Sequence, residues 1–409
     1  MSEGAWSKRD FRLVLGGGFV NNVGDWLLAV ALPSFVYVET GSGRSTAAIV
    51  IIELLVSIAW GPFGGSLVDR WDLRRTVIAT NVLQALCLLP LLAVSADRLW
   101  PAFVVAVLQG GLREVNDPAS FAMVPRIVPA DHLNEANASN AAAGSFARLI
   151  GSPLGGIAVA AGGLSAVVIA DGATFLVVAG AIWFVTTPTP SLATETGPEG
   201  DASGVRSGWQ QVRRYPRLVG YLTVHAVASW SFAMFPVLFI AFVIEVLRGD
   251  EATVGFIRGM AAFGGLVAAY AVGRRARRVD PATLMMWGYG GLGFIAFVFV
   301  NVSLVTTSIW LFLALFALSG LPNMTSQIGA TGTAQRLCPP ELLGRFQGLA
   351  SAAGAAGAIG GSVVVGLLIS HENIRLLLNV QATLYILCGL ITFALVIRPR
   401  GCTDAPADG

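Results

Sequence analysis

Eight charged side chains stand inside otherwise apolar stretches of this sequence: Asp25, Glu53, Arg113, Glu114, Asp117, Arg148, Asp171 and Arg258. Carboxylates and arginines held away from bulk water can exchange protons, open and close ion pairs, or hold a charged ligand. Each such charge at the centre of a membrane costs about 2.5–3.5 kcal/mol on insertion scales, so it should face inward and find a partner. Arg113 and Asp117, four apart, share one helix face, and their spacing predicts an internal ion pair. Glu114 points about 100° round the same helix. Arg148, at a similar depth, is expected to bridge Glu114 or Asp117, as a switchable site or as a structural salt-bridge cluster. Asp25 lies in a run with no second charge and is the first choice for carrying a proton or attracting a cation. The alternative for Asp25 is a structural aspartate hydrogen-bonded near Asn21 and Asn22. Glu53 is the next choice. Asp171 reads as structural, His225 as a helix-packing residue, and Arg258 as a side chain reaching for lipid headgroups. Seven of the eight charges precede residue 172, so the first half carries the polar machinery. The second half offers Trp230, Phe232, Met234, Phe235, Phe239, Met285, Met286 and Trp287, which form either an adaptable apolar pocket or packing and lipid-facing surface.

These charges must be positioned by membrane helices. The 409 residues are 55% hydrophobic and only 12% charged, with a mean hydropathy of +0.71, which excludes an ordinary soluble domain. Apolar windows fall at about 13–37, 47–67, 77–95, 99–122, 139–161, 165–186, 218–244, 254–272, 283–302, 307–330, 347–369 and 374–397. Each is long enough for roughly 30 Å of hydrocarbon. With the N-terminus inside, nineteen Lys and Arg fall in inner segments and four, Arg44, Arg98, Arg248 and Arg375, in outer loops. That bias predicts cytoplasmic termini. Lys8, Arg9 and Arg12 lead into a run too long for a cleaved signal. Cys87, Cys338, Cys388 and Cys402 are too few and too scattered for a disulfide framework and read as free thiols.

The sequence offers no Walker loop, no metal-spaced Cys/His cluster and no Ser-His-Asp grouping, so neither an enzyme, a metal, a cofactor nor a nucleic-acid partner is expected. Gly288-Tyr-Gly290-Gly-Leu-Gly293 matches a dinucleotide pattern but lies inside an apolar helix with no strand before it, and is set aside.

The one long polar interruption, 187–216, contains Thr-Pro-Thr-Pro and Gly-Pro-Glu-Gly-Asp and reads as a cytoplasmic linker. It divides the chain into a short N-terminus (1–12), a six-helix bundle (13–186), a second six-helix bundle (217–397) and a tail (398–409). The halves are related: Arg126-Ile-Val-Pro129 aligns with Arg336-Leu-Cys-Pro339, Gly110 falls on Gly320, and Gly155-Gly156 matches Gly360-Gly361 after a short slip. A duplicated six-helix unit in one orientation suits carriers that rock two halves about a midplane site.

The segment Gly64-Gly65-Ser66-Leu67-Val68-Asp69-Arg70-Trp71-Asp72-Leu73-Arg74-Arg75 resembles the loop between helices 2 and 3 of the major facilitator superfamily. Gly24-Asp25-Trp26, Asp117-Pro118-Ala119, Ile169 through Phe175, and Gly208-Trp209 with Arg213-Arg214-Tyr215-Pro216 are similar to its drug-efflux and siderophore-export branch. The resemblance covers nearly the whole chain. It implies an all-α polytopic membrane protein of twelve transmembrane helices in two six-helix repeats. It also implies proton-coupled export of a hydrophobic or amphipathic small molecule by a monomer in the plasma membrane. Import by symport and a non-transporting sensor are the alternatives. Gly65, Asp69, Arg70, Arg74 and Arg75 are then a cytoplasmic gate, whose alternative role is to set topology and bind lipid phosphate. The proline at Pro153, within Gly151-Ser152-Pro153-Leu154-Gly155-Gly156, sits one place later than in typical exporters. Around Gly273–Arg278 the second half lacks an acidic match to the first loop. Gly151, Gly155, Gly156, Gly357 and Gly361 are small residues that let helices approach, and are expected where the halves slide.

Overall fold

A computed structural model describes residues 5–68, 71–95, 97–129, 132–188, 209–275, 279–339 and 342–398. A segment in hydrocarbon has no water for its amides and must close its hydrogen bonds internally, which a helix does within one segment. In chain order come α1 Arg9–Thr40, α2 Gly43–Val68, α3 Leu73–Cys87 and α4 Trp100–Ile127. Leu133–Trp183 is helical except at Gly163, where φ is 64° and ψ −168°. Only glycine enters that backbone region readily, so the chain reverses there, and the two arms are numbered α5 (133–162) and α6 (164–183). Then follow α7 Pro216–Ala241, α8 Glu251–Arg275, α9 Pro281–Asn301, α10 Ile309–Leu337, α11 Leu343–Leu368 and α12 Ile374–Ile391.

The described residues thus hold twelve α-helices in the order of the twelve apolar windows. The third window is broken: α3 ends at Cys87 and a 3-10 turn, Leu89–Ala93, opens with Pro90, which cannot continue the hydrogen-bond ladder. Among the described residues eight helical segments, with most of α5 and all of α6 counted as one, are long and apolar enough to cross a membrane. Large apolar side chains cover the outside, Val305 being 86% and Trp310 81% exposed. In water such a surface would aggregate; in a bilayer it is the solvent face.

The chain forms two compact units, Met1–Gly197 with Gly249–Gly259, and Pro198–Arg248 with Met260–Gly409. The start of α8 therefore belongs to the first unit. Inside the first unit α1 packs on α5 and α6, α3 on α4, and α2 on α4. Inside the second, α7 packs on α11 and α12, and α9 on α10 and α12. The shared pairings express the duplication. Gly110 of α4 meets Val56 of α2, and its counterpart Gly320 of α10 meets Ala261 and Gly265 of α8. Asp72 caps the N-terminus of α3 by accepting from the Arg75 amide, and Asp280 caps α9 by accepting from the Ala282 amide.

In each unit a charge at the start of the first helix pins the end of the last. Asp10 Oδ2 accepts from the amides and hydroxyls of Thr186 and Thr187, just beyond α6. Arg217 donates from Nε to the Val396 carbonyl beyond α12 at 2.9 Å. Thr187, expected to open a free linker, is therefore held, and residues 209–212 near its other end are helical. The stretch 189–208 between them lies outside the described residues.

Of the small residues expected where the halves slide, Gly151 and Gly155 pack on α1 and Gly357 and Gly361 on α7, whereas Gly156 and Pro153 pack on the start of α8, within the first compact unit. A Cβ on Gly151 would strike the Val23 carbonyl and lie 2.9 Å from Trp26 Cβ, and one on Gly155 would strike Leu27 of the same helix α1. Gly156 abuts the Glu251 and Ala252 backbone, while Gly357 and Gly361 abut Ala226 and Trp230 of α7. Pro153 lies against Gly255 and Gly259. Gly151→Ala should lower stability by about 1–3 kcal/mol through overpacking, read as a lower thermal midpoint of the purified protein. Gly144→Ala, with nothing within 4 Å of its new methyl, should not lower it. Equal midpoints for the two variants would contradict the close approach of α1 and α5.

Candidate functional site

α1, α3, α4, α5 and α6 line a cavity of about 530 Å³ whose wall includes Asn21, Asn22, Asp25 and Trp26 from α1 and Asn81 from α3. From α4 come Arg113, Asn116, Asp117 and Ser120, and from α5 Asn140. Concave sites with a few convergent polar groups are where small molecules bind, and a polar cavity among apolar helices is the membrane form of that rule.

Its centre is an ion pair between helices: Arg113 Nη2 lies 3.2 Å from Asp25 Oδ1, while Asn21 Nδ2, one turn earlier on α1, donates to Asp25 Oδ2 at 3.0 Å. The side chains of Arg113 and Asp25 are 51% and 26% exposed, so the pair faces open space. Arg113 also feels the charges of Asp117, Glu53 and Asp171. The expected Arg113–Asp117 pair is thus replaced by one across helices, and Asp25 is not isolated. A helical i,i+4 carboxylate competes with one that another helix delivers at the same depth, and the latter is the closer. The asparagine expected beside Asp25 is present, in addition to the ion pair.

Behind Arg113 a buried amide network ties α3 to α4. Asn116 Oδ1 accepts from Thr80 Oγ1 and Asn81 Nδ2, both at 2.9 Å. Gln109 Nε2 donates to the Gln84 carbonyl at 2.9 Å, further along the same two helices. Glu114 turns away from the cavity and accepts from Ser57 Oγ of α2. Glu53, in no ion pair among the described residues, stands in the fields of Arg113 and Arg258.

Asp171 of α6 is fully buried, with Oδ1 3.3 Å from the Thr174 hydroxyl and Oδ2 without a hydrogen-bond partner among the described residues. Gly24 explains how it comes so near Asp25: any Cβ there would strike Asp171 Oδ1 and Thr174 Oγ1. The run Gly24-Asp25-Trp26 therefore has a division of labour, in which the glycine admits α6, the aspartate pairs, and the tryptophan supplies a ring to the cavity wall.

Arg148 and Arg258 correct two further expectations. Neither bridges a carboxylate or points to a headgroup. Their guanidinium carbons lie 4.7 and 5.7 Å from the centroid of the Trp26 ring, and Arg258 Nη1 donates to the Ala29 carbonyl at 3.1 Å.

The gate residues divide. Asp69 and Arg70 lie outside the described residues, and Gly65 sits in the last turns of α2, of which only the helical backbone is described. Arg74 donates to the carbonyls of Ile182, at 3.2 Å, and Trp183, and lies over the Trp183 ring. It therefore caps α6, where the carbonyl end of the helix favours a cation. The Arg75 amide serves the Asp72 cap.

In the second unit the apolar pocket gives way to a packed aromatic core. Phe239, Phe242 and Phe312 are buried and pack with Phe235, Phe299 and Phe316, while Phe232 and Trp287 are 64% and 69% exposed. His225 stacks on Tyr221. Sequence reasoning missed Asp280, which pairs with Arg336 at 3.4 Å besides capping α9. The signal was its place two residues beyond the second-half basic run, at the position of Asp72. No group of three or more metal-ligating side chains occurs among the described residues.

Comparison with known proteins identifies the class. The profile of the Major Facilitator Superfamily matches residues 14–362, and the chain belongs to that family. An uncharacterised MFS-type transporter, YfiS of Bacillus subtilis, is 22% identical over 94% of this chain and 93% of its own length. The enterobactin exporter EntS of Escherichia coli is 22% identical over 87% of this chain and 85% of its own. Among solved structures, an inward-facing bacterial homologue of the iron transporter ferroportin aligns over 95% of this chain and 99% of its own. Its TM-score is 0.75 at 17% identity. The nucleoside transporter NupG aligns over 95% of this chain and 99% of its own, with a TM-score of 0.73 at 11% identity. The fold of these transporters is the fold of this chain.

Removing one member of a partly buried ion pair strands the other, so Asp25→Asn and Arg113→Gln should each cost about 1–3 kcal/mol, and the double variant less than their sum. Thermal midpoints of the four proteins measure the coupling. Strict additivity would show that the pair does not hold α1 to α4.

Proposed function

We propose that this chain is a secondary active exporter of hydrophobic or amphipathic small molecules, driven by inward proton flow through alternating access. The observation that carries the reading is the Asp25–Arg113 pair on the wall of a polar cavity inside membrane helices. A proton arriving on Asp25 neutralises the partner of Arg113. Arg113 then turns toward Asp117, one helical turn away on the same face, whose charge it already feels. Loss of the proton restores the first pair. Substrate binding that favours one of the two pairings is thereby coupled to the proton, which is what exchange requires.

The sequence contains no nucleotide-binding loop, so the energy comes from the ion gradient, where one charge crossing 100 mV carries about 2.3 kcal/mol. Export rather than import is supported by the likeness to EntS, a protein named for exporting enterobactin. The excess of Arg and Lys in alternate loops supports a plasma-membrane orientation with both termini cytoplasmic. The domain division, with two six-helix bundles at 13–186 and 217–397, the gating role of the 64–75 loop, and a monomeric state belong to the same proposal.

Inverted membrane vesicles acidified inside test it directly. Addition of lipophilic cations, macrolides and siderophores in turn should release protons for at least one compound, and Asp25→Asn should abolish that release while the protein still reaches the membrane. Proton release unchanged in Asp25→Asn would refute the assignment of Asp25.

A further inference from the structure

The first unit holds two cations that its own carboxylates leave unmatched. Arg148 of α5 makes no hydrogen bond or ion pair among the described residues, and its only polar contact is the face of Trp26. Arg258, in the part of α8 that belongs to this unit, shares the same ring and bonds one backbone carbonyl. The Nε atoms of both are buried and have no hydrogen-bond partner among the described residues. The two guanidiniums stand close enough to repel each other, and Glu53 attracts Arg258 from beyond ion-pair distance. Of the two carboxylates that line the cavity, Asp25 pairs with Arg113 and Asp117 acts on the same Arg113, and neither meets Arg148 or Arg258; Glu114, turned away, is engaged with Ser57.

A cation at membrane depth needs an anion or a hydrogen-bond acceptor. Stacking on one indole compensates part of that need for one guanidinium, and sharing the ring with a second adds like-charge repulsion. One anion with an apolar body would satisfy both guanidiniums and the indole together. Guanidiniums bind carboxylates and other oxyanions through two parallel hydrogen bonds. Trp26, which also lines the polar cavity, offers a flat apolar surface beside them.

We infer that Arg148, Arg258 and Trp26 form the substrate's anion subsite, so that the exported molecule is an amphipathic organic anion bearing a carboxylate-like oxyanion on an aromatic or otherwise apolar body. This deepens the transport reading and rests on it. It also separates two tasks: Asp25 and Arg113 handle the proton, while Arg148 and Arg258 hold the ligand's charge.

A matched pair of probes tests it: 1-pyrenebutyrate and 1-pyrenemethylammonium carry the same ring with opposite charge. Fluorescence polarisation on the full chain in a phosphate-free maltoside detergent should show preference for the anion. Arg148→Gln and Arg258→Gln should each weaken pyrenebutyrate binding by about tenfold or more, the loss of a charge-assisted contact, and leave the cation unaffected. Arg148→Lys, which keeps charge but loses the planar fork, should fall between, and an unchanged Asp25–Arg113 coupling in these variants shows that the fold is intact. Equal binding of both probes, or pyrenebutyrate affinity indifferent to all three substitutions, would overturn the subsite. Displacement of pyrenebutyrate by phosphatidylglycerol, with no pyrenebutyrate movement in vesicles, would assign the anion to a lipid phosphate and overturn it as well. Failure of the transport reading is distinguishable: arginine-dependent anion binding without proton release leaves the subsite standing and removes the coupling. Proton release driven by a cation and unaffected in Arg148→Gln does the reverse.

Discussion

A charge inside a bilayer cannot turn to water, so every helix that carries one must be held where another helix supplies an answer. In this protein that requirement centres on Arg113. Asp25 of α1 meets it at 3.2 Å, and Asp117, Glu53 and Asp171 surround it with negative potential. The neighbouring architecture serves this pairing. The Asn116–Thr80–Asn81 bonds hold α4 on α3, and Ser57 draws Glu114 off toward α2 so that it does not compete.

Close packing of α1 is the second half of the same arrangement. Glycines at 24, 151 and 155 remove the side chains that would keep α5 and α6 away, and a methyl at any of them would meet backbone or polar atoms. α1 therefore presents Asp25 and Trp26 at a fixed depth, and Asp10 fastens its beginning to the end of α6. The second unit repeats the frame, with Arg217 and Asp280 in the places of Asp10 and Asp72, but fills its interior with phenylalanine. The two units share these joints and differ in their contents, one holding ionic chemistry and the other apolar packing.

The frame was legible because hydropathy and loop charge are local properties: the order of the twelve helices, the break between the windows 139–161 and 165–186, and the repeat relating Gly110 to Gly320 all follow from short windows. The site was legible in its membership and not in its pairings. Asp25, Arg113, Asn21 and Asp117 all line the cavity, yet the bond between Asp25 and Arg113 joins residues 88 apart in sequence. Spacing along one helix suggested Asp117 instead. The same limitation hid Arg148 and Arg258, whose common neighbour is an indole on a third helix, and Arg74, whose partners are carbonyls at the end of α6. Interactions with aromatic faces and backbone carbonyls leave no charge pattern to read.

The central claim is that the proton-exchanging carboxyl is the one that Arg113 holds. Infrared difference spectroscopy of the reconstituted full chain, acid minus alkaline, reports carboxyl protonation directly. The account predicts a carboxylic-acid C=O band that is absent from the Asp25→Asn spectrum and displaced in Arg113→Gln. A band pattern identical in all three proteins would contradict it.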